Sequence, residues 1–140
     1  MHFLSTQKRL AQRREYNATA LQRLYPSIPS PAHSLSLLLA DYTGTYAHPA
    51  HPDLIISVTS DDAPQLSVLV TGSFPVRMKL KHVSAEFFLA ELFWFRFGKE
   101  CDAVIKAEFQ INAEGKVARF GAAVDFADMP DTLIWFERST

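Results

Sequence analysis

Leu39–Pro49 reads LADYTGTYAHP, and it marks the point where the chain changes character. Tyr42 and Tyr46 alternate with Thr43 and Thr45 around Gly44. Aromatic and β-branched residues in alternation predict a strand, with a glycine where another group must come close. Downstream the apolar period stays at two. Tyr42–Ala47 is expected as the first strand, and the turn HPAHPD follows it. Leu54–Thr59 is the second, with Leu54, Ile56 and Val58 on one face. Gln65–Thr71 is the third, with Leu66, Val68 and Val70 aligned.

Val76–His82 alternates most cleanly. Val76, Met78, Leu80 and His82 share one face, and Arg77, Lys79 and Lys81 share the other. Glu86–Arg96, EFFLAELFWFR, is apolar on both faces. A short hairpin that sets His82 opposite Glu86 and Leu80 opposite Phe88 turns Phe88, Ala90, Leu92 and Trp94 inward. The row of Phe87, Leu89, Glu91, Phe93 and Phe95 then faces outward and needs cover, from the N-terminal helix or a partner subunit. Ala103–Ile111 alternates again, Asn112–Gly115 forms a tight turn, Val117–Phe126 returns, and Leu133–Arg138 closes the series. About eight antiparallel strands joined by short turns predict an all-β chain, an up-and-down barrel or a sandwich that hides its edges.

Upstream, Ser5–Leu24 reads as one helix with a thin apolar stripe of Leu10, Leu21 and Leu24, suited to lying on a surface. Pro26, Pro29 and Pro31 forbid helix and read as an extended tether. The expected division is a helix and tether over 1–38 and a β-barrel over 39–140.

The chain of 140 residues is long enough for one domain with its own core. Its net charge of −1 gives no electrostatic case for nucleic acid or an anionic membrane. It has no apolar run of about 18 residues and no secretory leader, so the expected location is cytoplasmic. The single cysteine, Cys101, excludes an internal disulfide and a cysteine-rich zinc site and is expected as an idle thiol. His48 and His51 have only Asp53 nearby, too few ligands for zinc, so no metal is expected, and no cofactor motif is present.

Leu39–Tyr46 with His48-Pro49, Leu80–Phe88, Ala107-Glu108-Phe109 leading to Gly115-Lys116-Val117, and Trp135–Arg138 resemble the lipocalin-like C-terminal domain of the serine-β-lactamase/esterase-like family. The resemblance implies a small antiparallel barrel with a hydrophobic interior, here a standalone copy without the catalytic domain. In some relatives this domain drives oligomerisation. Ser5-Thr6-Gln7-Lys8 and Tyr25-Pro26-Ser27 imitate the family's nucleophile and partner motifs. They lie outside the barrel resemblance, so serine-hydrolase chemistry is carried over to no residue.

Eleven phenylalanines and two tryptophans predict an aromatic-walled interior for a small hydrophobic molecule. The expected lining is Tyr42, Tyr46, Met78, Leu80, Phe88, Trp94, Phe109, Phe120 and Trp135, with Arg96 at the end of the Trp94 row. His82, at the barrel mouth, could move a proton or merely bond a backbone group. Glu91 is a buried acid if its row faces inward. If that row faces outward, as the hairpin favours, it pairs with a base such as Lys106. Three functions follow: binding of a small apolar molecule; a cofactor-free cyclase, isomerase or dehydratase of secondary metabolism, with His82 and Glu91 as its acid–base groups; and assembly, as a homodimer, through the outward Phe87 row.

Overall fold

Eight antiparallel strands run in chain order and close on themselves. They are β1 (Gly44–His48), β2 (His51–Ser60), β3 (Pro64–Val70), β4 (Val76–Ser84), β5 (Phe87–Trp94), β6 (Ala103–Ile111), β7 (Val117–Ala122) and β8 (Ile134–Ser139). The computed structural model describes residues 2–60, 63–72, 76–94 and 101–139, with side chains from residue 8 onward. Closure comes from β1 against β8, where Thr45 faces Ser139, Tyr46 faces Arg138 and Ala47 faces Glu137. The up-and-down barrel expected from the alternation is therefore the fold.

Period-two alternation sorts the two sides of the wall. Leu54, Ile56, Leu66, Val68, Met78, Leu80, Phe88, Ala90, Ile105, Ala107, Phe109, Phe120 and Phe136 all point inward and are buried. Each of the larger ones contributes about 1.5–3 kcal/mol by leaving water. Gly44 does what its place in LADYTGTYAHP requires. Its φ is +140°, and a Cβ there would lie 3.3 Å from Arg138 Nε. The Arg138 guanidinium fills that space, donating to the Thr43 carbonyl at 2.6 Å and the Val117 carbonyl at 3.3 Å. One side chain so ties the start of β1 to β7 and β8.

The structure revises several local expectations. Tyr42 is not in a strand: it ends a 3₁₀ turn, Leu39–Tyr42, and β1 begins at Gly44. The Asp41 carboxylate accepts from the Leu38 amide at 3.1 Å and Thr43 Oγ1 donates to the Ala40 carbonyl at 2.7 Å, so side chains satisfy the backbone locally. His51, Pro52 and Asp53, read as turn, belong to β2. The return strand stops at Ala122, and Phe126 sits in a turn where Asp128 and Met129 amides donate to the Asp125 carbonyl.

The β4–β5 hairpin also differs. His82 faces Phe88 and Leu80 faces Ala90, two residues from the expected register, with a bulge between His82 and Ser84. Ala85 takes φ +48° in the turn and closes it one step later. A slip of two keeps the same side chains on the same face, so Phe88, Ala90 and Leu92 still point inward and Phe87 outward.

The single helix expected over Ser5–Leu24 is two, α1 (His2–Ala18) and α2 (Ala20–Leu24). The break is at Thr19, whose hydroxyl donates to the Tyr16 carbonyl at 2.9 Å; Arg23 Nη2 donates to the same carbonyl at 2.7 Å. With that acceptor taken by side chains, the regular ladder stops. Both helices lie on the outer wall at β6. Asn17 Nδ2 donates to the Cys101 carbonyl at 3.3 Å, Arg13 lies 3.6 Å from the Asp102 carboxylate, and Ala20 and Leu24 are buried. No described helix is long and apolar enough to cross a membrane.

Candidate functional site

The barrel interior is built of rings against rings. Phe109 is central: its centroid is 4.8 Å from Phe120, 4.9 Å from Tyr42, 5.5 Å from Phe88 and 6.2 Å from Tyr46. Tyr42 and Tyr46 are wholly buried, and Met78, Leu80, Phe88, Phe109 and Phe120 are at most 2% exposed. The residues expected to line a cavity thus face inward together, packed against one another. The Tyr46 hydroxyl donates to the Tyr42 carbonyl at 2.7 Å, and the Tyr42 hydroxyl donates to Glu86 Oε1 at 2.9 Å. Burial pushes both hydroxyls up to about 12; Glu86 adds to the rise at Tyr42, and Arg138 opposes it at Tyr46.

The other expected residues lie elsewhere. Trp135 faces Gly121 across the β7–β8 ladder on the outer wall. Its ring lies where a Gly121 Cβ would come within 2.9 Å, and the Arg119 guanidinium stacks on it at 4.3 Å. The buried residue of that strand is Phe136, 1% exposed, one position further on. Trp94 is 38% exposed at the end of β5, and Arg96 lies outside the described residues. His82 is exposed; its ring packs on Phe88 at 5.4 Å and its Nε2 lies 2.8 Å from the Ala85 carbonyl, the backbone partner foreseen for a strand-end histidine. Glu91 is on the outward row, as the hairpin favoured, and its carboxylate pairs with Lys81 at 3.7 Å rather than with Lys106. His82 and Glu91 therefore lie on opposite faces of the wall. Cys101 donates its thiol to the Ala103 carbonyl at 3.1 Å, and burial raises its pKa.

A groove of about 500 Å³ lies outside the barrel, between the proline-rich segment and the β4–β5–β6 wall. Tyr25, Pro26, Ile28 and Pro29 form one side, the end of β4 at Val83 and Ser84 with Ala85 and Phe87 the other, and Lys106 and Glu108 complete the lining. The proline segment is no free tether here. Tyr25 Oη lies 2.9 Å from the Phe88 carbonyl and 3.0 Å from the Ala107 carbonyl, facing residues of β5 and β6. Burial raises this hydroxyl's pKa well above the ordinary tyrosine value. Further on, the His33 amide donates to Ser84 Oγ at 2.9 Å and the Ala85 amide returns a bond to the His33 carbonyl at 2.9 Å. The Ser36 amide donates to Glu86 Oε1 at 3.2 Å.

This segment supplies part of the cover that the outward row needs. Phe87 meets Tyr25 edge to face at 6.1 Å, lines the groove and keeps 41% of its surface exposed. The Lys106 ammonium sits 5.1 Å over the Tyr25 ring. Burial raises the Glu108 carboxyl pKa, against the opposing pull of Lys106 and Arg119. Sequence reasoning missed this groove because the prolines read as a spacer. The available signal was an uncovered Phe87 row next to a segment carrying Tyr25 and Ile28.

A protein of Aspergillus campestris (strain IBT 28561), described as unguisins hydrolase ungD', is 31% identical over 127 residues. The match covers 91% of this chain but 23% of that protein, so the chain spans under a quarter of its relative's length. No solved structure matches the chain. Residues 29–138 match the family described as a domain of unknown function, DUF3471, a span that runs from the proline segment into β8. The chain belongs to the DUF3471 family.

Proposed function

We propose that this domain binds a small apolar molecule on its outer wall, in the groove beneath the proline segment, as an accessory to a hydrolytic unit. The observation that carries the reading is the groove itself: about 500 Å³, walled by Tyr25, Pro26, Ile28, Pro29, Val83 and Phe87, beside two charged groups. Its size falls in the range of small-molecule sites, about 300–1,000 Å³, and its lining has their usual make-up of many apolar and few polar groups. The inward rings touch one another, which favours the outer wall over the interior as the place for a ligand. The partial match to a hydrolase supports the accessory role. Acid–base chemistry in the barrel, as a cyclase or isomerase, has less support, because His82 and Glu91 occupy opposite faces with partners of their own.

N-phenyl-1-naphthylamine, a neutral probe that brightens in apolar surroundings, tests the reading. Its emission is expected to rise on titration with the protein. Phe87→Ser should weaken the rise about tenfold, the loss of one buried aromatic contact. Leu38→Ser, at a site 76% exposed and outside the groove, should leave it unchanged. No rise, or a rise indifferent to Phe87→Ser, would refute a ligand groove at this place.

A further inference from the structure

We infer that the groove selects a neutral apolar molecule carrying an amide group, with Glu108 receiving its N–H and Lys106 meeting its carbonyl oxygen. This rests on the groove being the binding site. Its basis is what the two charged residues do, and do not do, in the free protein.

Lys106 and Glu108 are alternate residues of β6, so both project from the outer wall into the same groove. Alternate residues of a strand lie about 6.6–6.8 Å apart. No ion pair joins them, and no hydrogen bond holds the Glu108 carboxylate, among the described residues. On the neighbouring strand Glu108 faces Gly121, which has no side chain to offer a donor. Across β5 it faces Phe87, which has none either. Arg119 is near enough to be felt electrostatically, but it is committed elsewhere: it donates to Gln110 Oε1 at 2.6 Å and stacks on Trp135. The Lys106 ammonium attracts Glu108 through space without an ion-pair contact, and it sits over the Tyr25 ring face at 5.1 Å. The Tyr25 hydroxyl proton is shared between two backbone carbonyls, so it is not offered to the groove as a donor.

An apolar groove thus presents one unpaired acceptor and one loosely held donor, a strand repeat apart. An amide is the neutral group that carries one donor and one acceptor on opposite sides. A carboxylate ligand would meet Lys106 but be repelled by Glu108. An amine would meet Glu108 but be repelled by Lys106. A hydrocarbon would leave both charges partly desolvated without a partner, which is costly.

Three matched probes separate the possibilities: N-propyl-2-naphthamide, the ester propyl 2-naphthoate, and 2-butylnaphthalene, each titrated against the full chain by naphthalene emission. The amide is expected to bind about tenfold more tightly than the ester, which keeps the carbonyl and lacks the N–H. In Glu108→Met this ratio is expected to fall to about one, with the ester's affinity unchanged or improved. In Lys106→Met the amide and the ester should both weaken by about threefold against the hydrocarbon, and their ratio should persist. Equal binding of amide and ester to the native protein, or a ratio that survives Glu108→Met, overturns the amide preference and leaves the groove intact. If Glu108→Met does not fold, Glu108→Gln serves in its place, because a neutral acceptor should reduce the ratio. If no probe binds, the groove itself is the failed premise.

Discussion

At the scale of single residues, Glu108 is the group whose chemistry the fold alters most usefully. Burial favours its protonated form, so in the folded chain the carboxyl holds its proton above the ordinary glutamate value of 4.5. Between that value and the folded one, the native state binds more protons than the unfolded state. Stability therefore falls as pH rises through this window and stays lower above it. Glu108→Gln should melt higher than the native protein at pH 7, with the two melting curves drawing together toward pH 3. Circular dichroism melts across that range check this, and coincident curves at pH 7 would count against it. Gly121 is the opposite case, a residue chosen for what it lacks. Any side chain there would strike the Trp135 ring, which lies over the glycine and under Arg119.

At the scale of elements, the β4–β5 hairpin is the most strained turn described, since Ala85 is a non-glycine residue at φ +48°. Its amide and carbonyl are both used, by the His33 carbonyl and by His82 Nε2, so the turn cannot simply relax. Ala85→Val should cost about 1–3 kcal/mol in urea unfolding, because a β-branched side chain tolerates this backbone region worst. Ala85→Gly should fall within about 1 kcal/mol of the native protein, relief of strain offsetting lost chain entropy. A Val variant as stable as the native chain would show that the turn carries no such strain. The same hairpin shows what was legible beforehand. The parity of Phe88, Ala90 and Leu92 could be read from Val76–His82, since both rows alternate. The register could not, because it hangs on one backbone angle at an ordinary alanine. The proline segment was misread for a related reason: prolines announce extended chain but say nothing of what it lies against. Its docking depends on Tyr25 reaching carbonyls of β5 and β6, distant in sequence. Trp135 and Phe136 differ by one position, and only the β8 pairing decides which is core.

At the scale of the whole molecule, the barrel was readable because its pattern repeats. β2, β3, β4 and β6 each carry their own alternation, β5 takes its facing from its hairpin with β4, and each hairpin joins neighbours, so local signals sum to the global topology. The candidate site was less readable because it lies where the barrel meets a segment outside it. The ladder between Thr45 and Ser139 has one more consequence. The entry and exit of the barrel sit side by side, so the order in which the strands are threaded is a convention of the gene rather than a demand of the fold. A circular permutant that joins Ser139 to Gly44 through a short glycine linker and opens the exposed Asn112–Gly115 turn should keep the same sheet and a cooperative melt. It would carry the proline segment as a strap supplied from a different point in the polypeptide.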